Sequence, residues 1–206
     1  SNTSASSHNH TFENFGAAPI TRQVTLTAQS TQGCSDVATQ TIVINPNVQA
    51  GFVNETGLCA PAQVAFQNTS SNANTFLWQL GNGSNPVITA PVSTFNNASA
   101  ADTTFNVRLI ASSSFGCADT VFGTVLVHPE VVAVFNGDVN EGCGPLEVTF
   151  NNSSVNGNSL TWNYGDGATS NTSASSHNHT FENFGAVPIS RQVTLTAQSI
   201  QGCSDV

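Results

Sequence analysis

Residues 1–37 return as residues 170–206 with three changes: Ala18 becomes Val187, Thr21 becomes Ser190 and Thr31 becomes Ile200. A chain that repeats its own text, with Ser1 returning as Ser170, is expected to be built from copies of one folding unit. A shorter period lies inside that offset. Cys59, Trp78 and Gly81 are followed at one common spacing by Cys143, Trp162 and Gly165, and Phe95, Leu109 and Cys117 at a slightly longer one by Phe181, Leu195 and Cys203. Two residues inserted in the intervening loop account for the difference. Pro46 and Pro129 close corresponding stretches.

The unit is therefore a domain of about 85 residues, and two unlike domains make up the longer repeat. The expected boundaries are 1–46 for the C-terminal half of a domain and 47–129 for a complete one. Residues 130–206 are expected to form a domain lacking its last strand, which the first copy spells "ATQTIVINP" at Ala38 to Pro46. The text reads as a cut from a longer array. Alternating unlike domains hold near-identical copies one domain apart, which limits strand exchange between neighbours during folding.

Each unit is expected to be all-β. "QVTLTAQS" at Gln192 to Ser199 alternates Val193, Leu195 and Ala197 with Thr194, Thr196 and Gln198, and "LEVTF" alternates Leu146, Val148 and Phe150 with polar residues. That is the period of a half-buried strand. No stretch carries the helical period over a useful length. Hydrophobic residues make up 38%, with 13 Phe, which is enough for small packed cores.

The surface is unusual in its chemistry. Only 7% of residues are charged, there is no Lys, and the basic residues are Arg22, Arg108 and Arg191. A net charge of -9 leaves no footprint for phosphate backbones, so neither nucleic acid nor an anionic membrane is an expected partner. No apolar run approaches the ~18 residues of a membrane span, and no signal-peptide pattern is present in these residues.

Five cysteines fall into the repeat. Cys59 and Cys117 hold the places of Cys143 and Cys203, giving one expected disulfide per domain, and Cys34 corresponds to Cys203 with a partner expected outside the fragment. Each pair would close a loop of roughly 60 residues and contribute about 4 kcal/mol in the loop-entropy model. Zinc is the rival, but there is no CxxC and no His at ligand spacing from a Cys. Disulfides place the chain outside the reducing cytoplasm, at the cell surface or beyond it.

"LTWNYGDGAT" at Leu160 to Thr169 carries the most local information. Trp162 and Tyr164 alternate as on a strand, and Gly165-Asp166-Gly167 is a tight turn, with Gly for positive φ and Asp to cap it. The sister stretch "FLWQLGNGSN" has Trp78 and puts Asn82 at the Asp position.

"WNYGDG", then "HTF", then "RQVTLTAQSIQGCSD" resembles the PKD (polycystic kidney disease) domain, whose pattern runs Trp-Asp-Phe-Gly-Asp-Gly, His-x-Tyr and a Val-x-Leu strand. "GCGPLEVTFNNSS" and "LCAPAQVAFQNTS" are similar to the family's early strand in disulfide-bearing bacterial members. The stretch from Asn47 departs from the pattern, with "WQLGNG" at the turn and Ser93-Thr94-Phe95 in place of His-x-Tyr. The resemblance implies an immunoglobulin-like β-sandwich of about seven strands with the Trp between the sheets, and a spacer or binding role. Such domains occur in strings on bacterial adhesins, beside catalytic modules of secreted hydrolases and in animal receptors; they are not catalytic.

The "HNH" at His8 to His10, repeated at His177 to His179, invites a nuclease or metal reading. His10 and His179 instead fall at the structural His position that the resemblance implies, and His8 and His177 in a Ser-rich loop. No GxSxG elbow or other nucleophile constellation is present. "NGDVNEG" at Asn136 to Gly142 has oxygens that Ca²⁺ could use, without the distal bidentate Glu of an EF-hand. It reads as a solvated turn. No cofactor is expected.

Candidate glycan acceptors are more numerous. The Asn-x-Ser/Thr pattern occurs at Asn2, Asn9, Asn54, Asn68, Asn82, Asn97, Asn151, Asn152, Asn171 and Asn178. Thr103 and Thr120, each after an Asp, resemble the O-glycosylation signal of some fibre-making bacteria. Covalent sugar would keep so weakly charged a surface soluble.

The linkers "INPNVQAGF" and "VHPEVVAVF" hold a Pro and no Gly-Ser tract, which implies end-to-end domains in a semi-rigid rod. The leading expectation is a structural repeat of a secreted or cell-surface fibre or adhesin stalk, with neighbouring repeats as partners. The alternative is a module that binds surface polysaccharide, protein or other cells on behalf of a larger secreted protein. An enzyme is not expected.

Overall fold

The structure is a computed structural model, and residues 7–206 are described. Its described residues form strands, turns and loops. The first stretch gives β1 (Ile20–Gln29) and β2 (Ser35–Ile44). The next gives β3 (Phe52–Val53), β4 (Leu58–Cys59), β5 (Ala62–Ala65), β6 (Gln67–Asn68), β7 (Thr75–Gln79), β8 (Val92–Phe95), β9 (Thr103–Ser112) and β10 (Ala118–His128). The last gives β11 (Phe135–Gly137), β12 (Leu146–Asn152), β13 (Ser159–Asn163), β14 (Thr169–Ser170), β15 (Ser176–Phe181), β16 (Thr194–Gln198) and β17 (Ser204–Asp205).

Two compact units are distinguished. One comprises Ser1–Asn54, Ala65–Pro91 and Asn106–Gly123; the other comprises Glu55–Val64, Val92–Phe105 and Thr124–Val206. Each contains one of the expected repeat boundaries, Pro46 in the first and Pro129 in the second.

In the second unit two antiparallel sheets, β11-β12-β15 and β14-β13-β16-β17, enclose a single core. Alternation decides what goes inside. β12 buries Val148 and Phe150, β13 buries Leu160 and Trp162, and β16 buries Leu195 and Ala197, while the residues between them face outward or lie half-buried. This is an immunoglobulin-like β-sandwich, as the sequence led us to expect. Trp162 is fully buried, with Phe135 and Phe150 rings 5.0 and 5.7 Å away.

The first unit repeats that arrangement around Trp78, which is also fully buried, with Phe52 and Phe66 at 5.2 and 5.4 Å. Strand register is reproduced too. Trp78 on β7 lies opposite Leu109 on β9, and Trp162 on β13 lies opposite Leu195 on β16. The offsets between the repeats are thus spatial correspondences as well as textual ones.

Identical text does not give identical structure. Leu26 on β1 is 67% exposed, whereas Leu195, its counterpart in the second copy, is 1% exposed. Among the described residues β1 pairs only with β2, over ten residues from Ile20↔Ile44 to Gln29↔Ser35, leaving Val24, Val37 and Val43 uncovered as well. β16 is shorter but is covered by β12 and β13. Burial here is a property of what packs on the strand, not of its letters.

Candidate functional site

The Gly-Asp-Gly turn is fixed by its glycines and its carboxylate. Gly165 has φ +74°, and a Cβ there would sit 2.5 Å from the Gln192 carbonyl oxygen, so only glycine fits. Asp166 Oδ1 accepts a hydrogen bond from the Ala168 N–H at 2.9 Å, closing the turn. Asn82 caps the sister turn in the same way, accepting from the Ser84 N–H at 3.1 Å.

This turn meets the second HNH. His177 and His179 lie on β15, a paired strand, where a Ser-rich loop was expected for His177. The residues are drawn into the sheet by β12, with Val148 opposite His179 and Phe150 opposite His177. Alternation then turns both rings towards Tyr164. Tyr164 Oη and His177 Nε2 share a hydrogen bond of 2.8 Å, and the His179 ring stacks on Tyr164 at 3.8 Å and 4°. His179 Nε2–H donates to Asp166 Oδ2 at 2.7 Å.

The electrostatics follow from that packing. The His179 hydrogen bond, followed by the Ala168 N–H, holds the Asp166 carboxyl below its ordinary pKa. Burial, with the neighbouring His179 charge, pushes the His177 imidazole below the usual histidine range. Burial likewise raises the Tyr164 phenol. Tyr164 is thus bonded to His177 and His179 to Asp166, while His177 Nδ1 is buried without a partner among the described residues. The arrangement clamps the 165–167 turn onto β15. No group of three or more His, Cys, Asp or Glu able to hold a metal occurs among the described residues.

The first HNH has no such environment. His8 and His10 are exposed and in no strand, and the His10 ring packs on Phe12 at 4.5 Å. The Ca²⁺-like segment is also occupied by its own fold. The Thr149 N–H donates to Asp138 Oδ1 at 2.9 Å, and this bond holds the Asp138 carboxyl below its ordinary value.

The disulfide differs from the expected pairing. Cys59 is bonded to Cys203, with Cα atoms 5.5 Å apart, while Cys34, Cys117 and Cys143 are free. The expected Cys59–Cys117 and Cys143–Cys203 bridges are therefore not formed. The reason lies in β4, which pairs in parallel with the end of β10 and sets Cys59 opposite His128. His128 immediately precedes Pro129, so Cys59 is carried to the boundary where the following repeat begins. Cys203 closes the turn that starts at Ser199, whose N–H donates to the Cys203 carbonyl at 2.8 Å.

Several residues at these boundaries carry no signal that single-residue reading recovers. In the first unit the Asn47 N–H donates to the Asn14 carbonyl at 2.8 Å, and Asn72 Nδ2 donates to the Gly16 and Asn47 carbonyls at 3.2 and 2.8 Å. In the second unit the Glu130 N–H donates to the Asn97 carbonyl at 2.9 Å, and Asn156 Nδ2 donates to the Ser99 and Glu130 carbonyls at 3.2 and 2.8 Å. Asn72 and Asn156 have φ of 58° and 59°, a conformation Asn tolerates better than most side chains. Asp119 accepts from the Ala50 N–H and Asp205 from the Ala133 N–H, at 2.9 and 2.8 Å. Only the offset between the repeats could have pointed to these sets.

The glycan candidates sort by burial. Asn2 lies outside the described residues. Asn97 is 4% exposed, and its Nδ2 donates to the Ala101 and Val127 carbonyls at 2.9 and 2.8 Å, so its side-chain amide is engaged within the fold. Asn9, Asn171 and Asn178 are exposed; Asn54, Asn68, Asn82, Asn151, Asn152, Thr103 and Thr120 are half-buried. Asp102 and Asp119, read as part of the O-glycan signal, bond His128 and Ala50.

One open cleft in the first unit is lined by Gln79, Asn85, Asn106, Arg108 and Phe122. The Arg108 guanidinium lies 6.0 Å from the centre of the Phe122 ring, which is 72% exposed, and Arg108 Nε is buried without a partner.

No family model matches the chain, and no curated protein does. Among solved structures it is similar to the PKD1 domain of Vibrio anguillarum Epp, at 21% identity over 42% of this chain and 99% of that one, TM-score 0.36. It is also similar to the PKD1 domain of the Vibrio cholerae metalloprotease PrtV, at 27% identity over 40% and 98%, TM-score 0.34. A third likeness is to a carbohydrate-binding module of the β-sandwich superfamily, at 13% identity over 74% and 84%, TM-score 0.36. At such TM-scores these likenesses carry no weight beside the strand pairing. No helix of the described residues is long and apolar enough to cross a membrane.

Proposed function

We propose that the chain is a structural repeat segment of a secreted or cell-surface fibre or adhesin stalk, built from PKD-like sandwiches at 47–129 and 130–206 with 1–46 as the C-terminal half of another. One observation carries the reading: the same boundary hydrogen bonds form at Asn14, Asn47 and Asn72 and again at Asn97, Glu130 and Asn156. A module that works alone has no use for a repeated way of meeting its neighbour, whereas a stalk gains length by copying one. The histidine cluster, spent on its own turn, supplies scaffold and no catalysis. The disulfide fits an extracellular setting. Glycans on Asn9, Asn171 or Asn178 would complete the polar coat.

Electron microscopy of the native material tests this. The expected image is a filament one domain wide with a two-domain repeat; isolated globules would contradict it.

The cleft at Arg108 and Phe122 favours a second reading, binding of polysaccharide. Amide and guanidinium donors beside an exposed ring match sugar hydroxyls and a sugar face. Retention on insoluble glycan that Phe122→Ala abolishes would put this reading first; absence of retention by the intact chain would remove it.

A further inference from the structure

The Cys59–Cys203 bond joins the first cysteine of the 47–129 repeat to the second cysteine of the 130–206 repeat. Three thiols remain, and each has a counterpart in that bond. Cys143 corresponds to Cys59: each lies two residues before a proline, Pro145 and Pro61. Cys34 and Cys117 correspond to Cys203 and end the same turn. The N–H groups of Ser30, Ser113 and Ser199 each donate to the carbonyl of the cysteine four residues on, at 2.8 Å, and a glycine of positive φ precedes each cysteine.

The surroundings correspond as well. Next to the turn before Cys203, the Asn158 N–H donates to the Gln198 carbonyl at 2.8 Å; next to that before Cys117, the Asn74 N–H donates to the Ser112 carbonyl at 2.9 Å. The boundary contacts made by Asn156 in the second unit are made by Asn72 in the first. Cys117 therefore stands, relative to the boundary at Pro46, where Cys203 stands relative to the boundary at Pro129.

We propose that Cys143, Cys117 and Cys34 are the open halves of a staple that cross-links these repeats in series. The first cysteine of each repeat bonds the second cysteine of the repeat that follows. In an array of these repeats, Cys143 pairs with a cysteine of the Cys117 type in the next unit. Cys117 pairs with one of the Cys143 type in the unit before, and Cys34 with one of the Cys59 type.

Each bond forms as two thiols lose two protons and two electrons in all. A disulfide oxidant, R–S–S–R, takes them up and leaves as two R–SH. The result is a second covalent path past each linker proline, so a cut or a pull at Pro129 leaves neighbouring repeats attached.

The alternation makes the pairing readable by mass. Serial staples join "GLCAP" to "QGCSD" and "EGCGP" to "FGCAD"; bridges within repeats would join "GLCAP" to "FGCAD" and "EGCGP" to "QGCSD". The proposal rests on the array reading, which microscopy tests separately. Its own test lengthens the chain in frame after Val206 with the sequence of Ala38 to Pro129, oxidises it with oxidised glutathione, and maps linked peptides without reduction.

The expected result is a bond from Cys143 to the second cysteine of the added repeat, with the free thiols unchanged at three although two cysteines were added. Cys143 left free, or bonded to Cys203, would overturn the proposal. The variant Cys59→Ser in the 206-residue chain gives an independent check. Cys203 is expected to become free while Cys34, Cys117 and Cys143 stay free; capture of Cys203 by Cys143 would overturn the proposal.

Discussion

His179 donates a hydrogen bond to Asp166 across 2.7 Å while its ring lies flat on Tyr164, so a pair of groups that resembles catalytic machinery in the text is consumed in holding a turn. The same cluster should make the fold sensitive to acid.

The sign follows from the direction of the shifts. His177 is pushed below its ordinary value, so between about 6.5 and its folded-state pKa the unfolded chain binds the proton that the folded chain refuses. Its contribution is present in full above pH ~6.5 and is lost as pH falls through the folded value. Asp166, also lowered, adds a second loss below about 3.9. Denaturant titrations at pH 7.5 and 5.5 should show lower stability at 5.5, and His177→Phe should flatten that difference. Equal stability at both pH values would remove this role for His177.

Two glycines of one turn should respond unequally to alanine. Gly165 and Gly167 both have positive φ, which costs a Cβ-bearing residue about 1–2 kcal/mol. At Gly167 nothing lies within 4 Å of the added atom, whereas at Gly165 the Gln192 carbonyl oxygen is 2.5 Å away and belongs to backbone. Gly165→Ala should therefore cost clearly more than Gly167→Ala in the midpoint of denaturation. A larger loss for Gly167→Ala would contradict the turn geometry.

These contrasts mark what the sequence could tell. Alternation at Leu146–Phe150 placed β12, and the repeat spacing marked Trp78 and Trp162 as corresponding residues, although which residue lies opposite each came only from the strand pairing. The Cys59–Cys203 bond could not be read, because it depends on the parallel pairing of β4 with the end of β10, a contact between distant parts of the chain that leaves no periodic trace. The His177 strand was equally hidden. The same letters at His8 form none, and the difference is β12, a partner far along the chain. Local chemistry was legible; the identity of the neighbour was not.

Asn97 should matter to stability and not to glycosylation. Its Nδ2 donates to the carbonyls of Ala101 and Val127; the exposed Ala101 carbonyl keeps the Ser99 hydroxyl, but Asn97→Ala leaves the buried Val127 carbonyl without that donor, at about 1–3 kcal/mol for an unsatisfied buried group. Peptide mass mapping of the natural protein should find Asn97 bare. A glycan on Asn97 in folded protein would contradict its placement.

Non-reducing peptide mapping of the 206-residue chain tests the central claim, that the bonded contact lies between successive repeats. One linked species is expected, joining the peptide of Cys59 to that of Cys203, with Cys34, Cys117 and Cys143 alkylated as free thiols. Linked peptides joining Cys59 to Cys117 and Cys143 to Cys203 would contradict it.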